Sequence, residues 1–140
     1  MYDVAVVGCG IVGAAAAYEL SRYRCKVLVL EAKNDVANVT TKANSAILHA
    51  GYDPLPGTLM AELNVRGVAL ARELCKKLNV EREEIGSLVL AFGEEDDRHL
   101  EMLYRQGLAN GVPELELLTA DEARALEPNI SEAVTGALYA

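Results

Sequence analysis

The stretch DVAVVGCGIVGAAAAYELSRYRCKVLVLE, residues 3–31, decides the fold of this chain. An apolar run over residues 2–7 and a second over residues 26–30 have the length and β-branched content of strands, and a segment with helical spacing separates them. Strand, helix and strand in this order predict a βαβ unit with two parallel strands. We therefore expect an α/β fold of the Rossmann type with additional helices and strands.

Three glycines separate the first predicted strand from the helix. Gly8 allows a sharp turn out of the strand, Gly10 has no Cβ to block a pyrophosphate, and Gly13 lets the helix pack close to the sheet. A pyrophosphate would then bind at the amino end of the helix, beside Ile11 and Val12, where backbone N–H groups point outward. The pattern predicts the binding of a dinucleotide.

Glu31 follows Gly13 by 18 residues, at the carboxyl end of the second predicted strand. A carboxylate here accepts hydrogen bonds from ribose hydroxyls and repels a 2′-phosphate, so NADP is the least expected dinucleotide. Ala32, the residue after Glu31, is also predicted to contact the cofactor. The alternative is a βαβ unit that binds no ligand. The acid at this distance favours binding.

Composition excludes several classes of protein. The chain has 140 residues, 51% of them apolar, which is enough for the core of one domain. The net charge of −8 argues against a nucleic-acid partner. Three cysteines without CxxC spacing and two histidines predict neither a disulfide framework nor a metal site, and they fit a reducing cytoplasm.

Membrane and export signals are not expected in this stretch of chain. Residues 4–17 are apolar, but three glycines interrupt them and no positively charged lead precedes them, so a signal peptide is not predicted. No run reaches the roughly 18 apolar residues needed to span a bilayer. We expect a cytoplasmic protein or one bound peripherally at the inner face of the membrane.

The remaining elements follow from periodicity and capping residues. Residues 35–45 are predicted to form a polar loop or a short helical entry, and Thr58 caps an amphipathic helix with one leucine-rich face. That face comprises Leu59, Leu63, Leu70, Leu74 and Leu78. Strands are predicted at residues 87–92, 115–118 and 133–140, and helices at residues 96–109 and after a Thr119–Glu122 capping box, as far as Pro128. Because the last strand stops abruptly, we expect an amino-terminal piece of a longer protein.

Residues 4–31 resemble the long adenosine-binding fingerprint of flavoproteins. In that fingerprint the glycines are followed by an Ala, a Leu, a Val and a terminal Glu, here Ala17, Leu20, Val27 and Glu31. Arg24 stands where the family often has a glycine, at the turn into the second strand.

A second segment narrows the resemblance. Residues 40–53, TTKANSAILHAGYD, with Pro56, Gly57 and Thr58, are similar to the second FAD-contacting segment of the D-amino-acid-oxidase-like FAD-dependent oxidoreductases. Within this family the segment looks most like that of bacterial FAD-dependent glycerol-3-phosphate dehydrogenases, with L-2-hydroxyglutarate dehydrogenases or oxidases close behind. The resemblance implies FAD as the cofactor and a larger two-domain flavoprotein, in which residues 1–140 form the FAD-binding domain.

The side chains of this segment suit a phosphate. The hydroxyls of Thr40, Thr41 and Ser45 and the amide of Asn44 can donate to phosphate oxygens without adding charge, and Lys42 can neutralise one of them. The alternative is an ordinary polar loop that contains a capping hydroxyl. The glycine loop upstream favours binding.

His49 has two interpretations. A single histidine in an apolar run is commonly a hydrogen-bonded core residue. The resemblance instead implies a position near the flavin ring, where some relatives attach flavin through a histidine. His99 is expected on the solvated face of its helix.

The resemblance implies the oxidation of sn-glycerol 3-phosphate to dihydroxyacetone phosphate, with FAD as the hydride acceptor and a quinone or an electron-transfer protein as the next acceptor. The alternatives are an L-2-hydroxyglutarate dehydrogenase or oxidase, and a noncatalytic module that binds NAD or FAD. In either enzyme the substrate is a small anion. The residues of this chain do not identify the catalytic base or the substrate-binding arginines, which we expect beyond residue 140. For this reason we expect the 140-residue chain to be inactive alone.

Overall fold

The computed structural model describes residues 1–140 and divides into two compact units, Met1–Ile47 and Leu48–Ala140. The prediction of one FAD-binding domain over the whole chain stays a prediction. Each unit has its own sheet, of two strands in the first and three in the second.

The first unit is the predicted βαβ unit. Strand β1 (Val4–Val7) is followed by helix α1 (Ile11–Leu20) and strand β2 (Val27–Leu30). The strands are parallel, with Val4 opposite Val27 and Val7 opposite Leu30. Both strands begin later than predicted. The backbone N–H of Lys26 donates a hydrogen bond to the Asp3 carboxylate at 2.7 Å. These two residues directly precede the paired strands.

The second unit combines three helices with an antiparallel sheet. Its elements in chain order are α2 (Leu59–Leu78), β3 (Leu88–Ala91), α3 (Glu94–Asn110), β4 (Glu116–Thr119), α4 (Ala120–Leu126) and β5 (Gly136–Tyr139). Strand β5 lies in the middle and is antiparallel to both β3 and β4. Its Ala137 and Leu138 are fully buried in the core. None of the helices is both long enough and apolar enough to cross a membrane.

Helix α2 begins as predicted, but its packed side differs from its leucine-rich side. The Thr58 hydroxyl accepts a hydrogen bond from the Ala61 N–H at 3.3 Å. Ala61 is buried, and Val65 packs against the core. Leucines 59, 63, 70 and 78 are each more than half exposed. The leucine-rich face of this helix is therefore open to solvent except at Leu74, which is partly buried.

The ends of α3 and α4 are set by identifiable caps. Helix α3 begins at Glu94, two residues earlier than predicted, and four acidic residues in its first turn favour the positive end of the helix dipole. It ends at Gly111, which has a φ of 77°. Helix α4 has the predicted capping box, since Thr119 accepts from the Glu122 N–H and the Glu122 carboxylate accepts from the Thr119 N–H.

Candidate cofactor-binding site

The turn after β1 depends on Gly8. Gly8 has a φ of +92°, a conformation that side chains with a Cβ rarely adopt. Its N–H donates to the Leu30 carbonyl at 2.7 Å, so the turn begins while the chain is still paired with β2. The predicted role of the first glycine, a sharp exit from the strand, agrees with this geometry.

Gly13 lets α1 approach the turn. A Cβ on Gly13 would lie 2.0 Å from the Gly8 carbonyl oxygen and 3.3 Å from Val6 Cγ1. The first distance is well inside van der Waals contact, and the obstructing atom is backbone, which cannot rotate away. Only glycine permits this close approach, as the sequence predicted.

The amino end of α1 presents backbone donors. The N–H of Ile11 donates to the Thr41 hydroxyl at 3.0 Å, while the N–H groups of Val12 and Gly13 have no hydrogen-bond partner within the chain. A Cβ on Gly10 would lie 3.0 Å from the Thr41 hydroxyl oxygen. Free N–H groups at a helix amino terminus are suited to a phosphate.

Glu31 lies beside the glycine loop. Its carboxylate accepts hydrogen bonds from the backbone N–H groups of Cys9 at 2.7 Å and Lys33 at 2.9 Å. These bonds, chiefly the one from Cys9, hold the pKa of the Glu31 carboxyl below its ordinary value. The group is therefore charged at neutral pH, and its unused lone pairs can accept from ribose hydroxyls.

Two cavities adjoin these residues. The smaller, about 160 Å³, lies between Glu31 and residues 37–41, and the larger, about 490 Å³, lies along the glycine loop and the first turn of α1. Gly10, Thr40 and Thr41 line both cavities. The structure thus brings together the glycine loop, Glu31 and the two threonines, while Ala32, which the sequence also predicted, lines neither cavity.

The rest of the predicted phosphate segment is exposed. The Asn44 amide donates to the Thr41 carbonyl at 2.5 Å and its oxygen accepts from the Ala46 N–H at 2.7 Å, so this side chain shapes its own turn. Lys42 and Ser45 are exposed and line neither cavity. Phosphate contacts of Lys42, Asn44 and Ser45 stay predictions.

The sequence analysis missed Ala37, Asn38 and Val39, which line the smaller cavity. The Ala37 N–H donates to the Cys9 carbonyl at 3.0 Å, which ties this turn to the glycine loop. Ala37 has a φ of +56°, although glycine or asparagine is the usual residue in that conformation. Because alanine does not favour this conformation, Ala37 gave no indication in the sequence that the chain turns here.

The two histidines lie in the second unit. His49 is exposed, so the alternative of a hydrogen-bonded core residue is wrong. Its predicted position near the flavin ring stays a prediction. His99 is exposed on α3, as expected.

The family model described as FAD dependent oxidoreductase (DAO) matches residues 3–140. The chain belongs to this family. The match confirms the predicted family, and FAD is the cofactor that the family description names.

Among individual proteins, the chain is similar to two kinds of dehydrogenase. The chain is 51% identical over 140 residues to a glycerol 3-phosphate dehydrogenase of Caloramator mitchellensis, covering 100% of this chain and 29% of that protein. It is 37% identical over 134 residues to a mitochondrial L-2-hydroxyglutarate dehydrogenase of Dictyostelium discoideum, covering 94% and 30%. The chain therefore spans about a third or less of the length of these relatives.

A solved structure confirms the predicted α/β fold. The dithionite-reduced L-alpha-glycerophosphate oxidase from Mycoplasma pneumoniae, with FAD bound, matches with a TM-score of 0.85 and 34% identity. The match covers 99% of this chain and 37% of the oxidase.

Proposed function

We propose that residues 1–140 supply the FAD-binding part of an enzyme that oxidises sn-glycerol 3-phosphate to dihydroxyacetone phosphate. The observation that carries the cofactor proposal is the glycine loop, where Gly8 and Gly13 are required by backbone geometry and the first turn of α1 keeps two free N–H groups. A loop with these properties fits a pyrophosphate.

Each part of the site would hold a different part of FAD. The N–H groups of Val12 and Gly13 would bind the pyrophosphate, next to the Thr41 hydroxyl. The Glu31 carboxylate, fixed by two backbone donors, would accept hydrogen bonds from the adenosine ribose. Because Glu31 is charged, a 2′-phosphate would be repelled, which favours FAD or NAD over NADP.

When bound, FAD supplies the acceptor for the hydride that leaves C2 of the substrate. This chain orients the cofactor through hydrogen bonds, and His49 is our candidate for a residue near the flavin ring. The 51% identity to a glycerol 3-phosphate dehydrogenase supports the substrate. A quinone or an electron-transfer protein as final acceptor, and a cytoplasmic or peripheral membrane location, belong to the same proposal.

The second candidate substrate is L-2-hydroxyglutarate. It is favoured by the 37% identity to an L-2-hydroxyglutarate dehydrogenase over 94% of this chain. Both candidate substrates are anions that carry a secondary alcohol, so the cofactor site described above serves either reaction.

The test uses the flavin-loaded holoenzyme. The cofactor is released with acid and identified by mass spectrometry, and dye reduction is followed with glycerol 3-phosphate and, separately, with L-2-hydroxyglutarate. We expect FAD in the released fraction and faster reduction with glycerol 3-phosphate. Bound NAD would contradict the proposal, and preferential reduction with L-2-hydroxyglutarate would replace its substrate. Cofactor that stays with the protein after acid treatment would indicate covalent attachment.

A further inference from the structure

Residues 37–41, which we call the strap, line the smaller cavity together with Glu31 and Gly10. The side chains in this lining include one carboxylate, one amide and two hydroxyls, and no cationic group. A phosphate would be repelled by the carboxylate, whereas sugar hydroxyls can donate to it and can also bond to the amide and the hydroxyls. The cavity of about 160 Å³ therefore suits a ribose, and the phosphates suit the larger cavity along the first turn of α1.

The strap is tethered to the glycine loop and α1 at its two ends. The Ala37 N–H donates to the Cys9 carbonyl at 3.0 Å, and the Thr41 hydroxyl accepts from the Ile11 N–H at 3.0 Å. Between these two tethers, the backbone groups of residues 38–40 make hydrogen bonds only with residues 42 and 43. The position of this part of the cavity wall therefore depends on the two tethers.

The two tethers are not equivalent. Cys9 links the strap to Glu31, because its N–H donates to the Glu31 carboxylate at 2.7 Å while its carbonyl accepts from Ala37. Ala37, however, has a φ of +56°, a left-handed conformation that is unfavourable for alanine. This local strain offsets part of the first tether. Thr41 is not among the residues with a positive φ, so the tether from its hydroxyl carries no such cost.

We propose that Thr41 is a positioning residue, whose bond to the Ile11 N–H holds the strap beside Glu31 and thereby makes the smaller cavity selective for a ribose with free hydroxyls. The inference rests on the proposed function, which places the adenosine ribose at Glu31. The Glu31 carboxylate distinguishes ribose from deoxyribose only while the sugar stays within hydrogen-bond distance, and the strap limits how far the sugar can move. This role is separate from any contact of the Thr41 hydroxyl with a phosphate.

The test compares ADP with 2′-deoxy-ADP as competitors of FAD in the complete enzyme after release of its flavin. Both nucleotides carry the same pyrophosphate, so the ratio of their Kd values reports the ribose contact alone. In the wild type we expect 2′-deoxy-ADP to bind roughly tenfold to hundredfold more weakly, because it lacks a hydroxyl that donates to a charged carboxylate. Thr41→Val keeps the size of the side chain and removes the hydroxyl, and we expect this ratio to fall by roughly threefold or more.

Thr41→Ser keeps the hydroxyl and should retain the wild-type ratio. The matched control is Ser21→Ala, which removes an exposed hydroxyl at the other end of α1 and should also leave the ratio unchanged. If Thr41→Val weakens both nucleotides by the same factor, or neither, the inference is overturned, because a phosphate contact or a purely structural role does not change the ratio. A wild-type enzyme in which ADP does not compete with FAD overturns the proposed function, and this is recognised before any variant is compared. Equal binding of both nucleotides by the wild type overturns the ribose assignment and the inference with it.

Discussion

Replacing Gly13 by Ala should destabilise the first unit, although the same change stabilises most helices. Alanine is favoured over glycine in a helix interior by roughly 0.5–1 kcal/mol. Here the new Cβ would lie 2.0 Å from the Gly8 carbonyl oxygen, so α1 must retreat by more than 1 Å from the turn. Overpacking costs about 1–3 kcal/mol, and a backbone obstacle gives values at the upper end. We expect a net loss of about 2 kcal/mol.

The matched control is Gly67→Ala. Gly67 lies within α2, and a Cβ there would meet no atom within 4 Å. This substitution should therefore stabilise the protein by roughly 0.5–1 kcal/mol. The two variants make the same chemical change in two helices, and the structure predicts opposite signs.

Thermal unfolding followed by far-UV circular dichroism measures both variants, and flavin fluorescence reports cofactor release from the first unit. A loss of about 2 kcal/mol corresponds to a decrease of roughly 4–8 °C in Tm for a chain of this length. We expect flavin to be released earlier in Gly13→Ala and later, or at the same temperature, in Gly67→Ala. If Gly13→Ala melts at or above the wild-type temperature, the close approach of α1 to Gly8 is refuted.

Three further predictions concern the candidate site, and a fourth concerns the amino-terminal cap of α4. Gly10→Val should abolish flavin binding with an unchanged circular dichroism spectrum, and a variant that purifies with a full complement of flavin would contradict the phosphate assignment. Glu31→Ala should raise the Kd for FAD roughly tenfold to hundredfold, because charge-assisted hydrogen bonds are lost. Since the Cys9 N–H lowers the Glu31 pKa, the wild-type contribution should be complete at neutral pH and disappear as pH falls through the lowered pKa, which titration of FAD binding against pH will measure. His49→Ala should change the flavin spectrum or reduction potential, and no change in either would remove His49 from the flavin site. Thr119→Ala should cost about 1 kcal/mol in denaturant unfolding, because it removes the capping box of α4, and an unchanged midpoint would show that the cap contributes nothing.

The sequence predicted those features that depend on neighbouring residues. Helix ends at Thr58 and Thr119 follow from hydroxyls that bond to N–H groups three residues later, so their signal is local. The glycine loop was predictable for the same reason, since a Cβ on Gly13 would clash with the carbonyl of Gly8, which is only five residues earlier.

Long-range pairing was not predictable from the same patterns. The central place of β5 between β3 and β4 joins residues that are far apart in sequence, and periodicity does not encode partner choice. The leucine-rich face of α2 illustrates the limit. Its spacing predicts an apolar stripe correctly, but Ala61 and Val65 on another face make the contacts with the core. The hydrogen bonds from the Gln106 and Asn110 side chains to the carbonyls of residues 51–54 were missed because an Asn and a Gln near a helix end have no distinctive spacing.

The candidate site is arranged so that little ordering accompanies cofactor binding. Glu31 is held by the Cys9 and Lys33 N–H groups, and Thr41 is held against the first turn of α1, so both polar groups have fixed positions. The conformational entropy of these side chains is already lost on folding, and binding does not lose it again. Each glycine of the loop serves a separate requirement: a positive φ at Gly8, room for the Thr41 hydroxyl at Gly10 and close packing of α1 against the turn at Gly13. Three independent requirements met within six residues explain why this motif, and not the polar segment after it, gave the stronger functional signal.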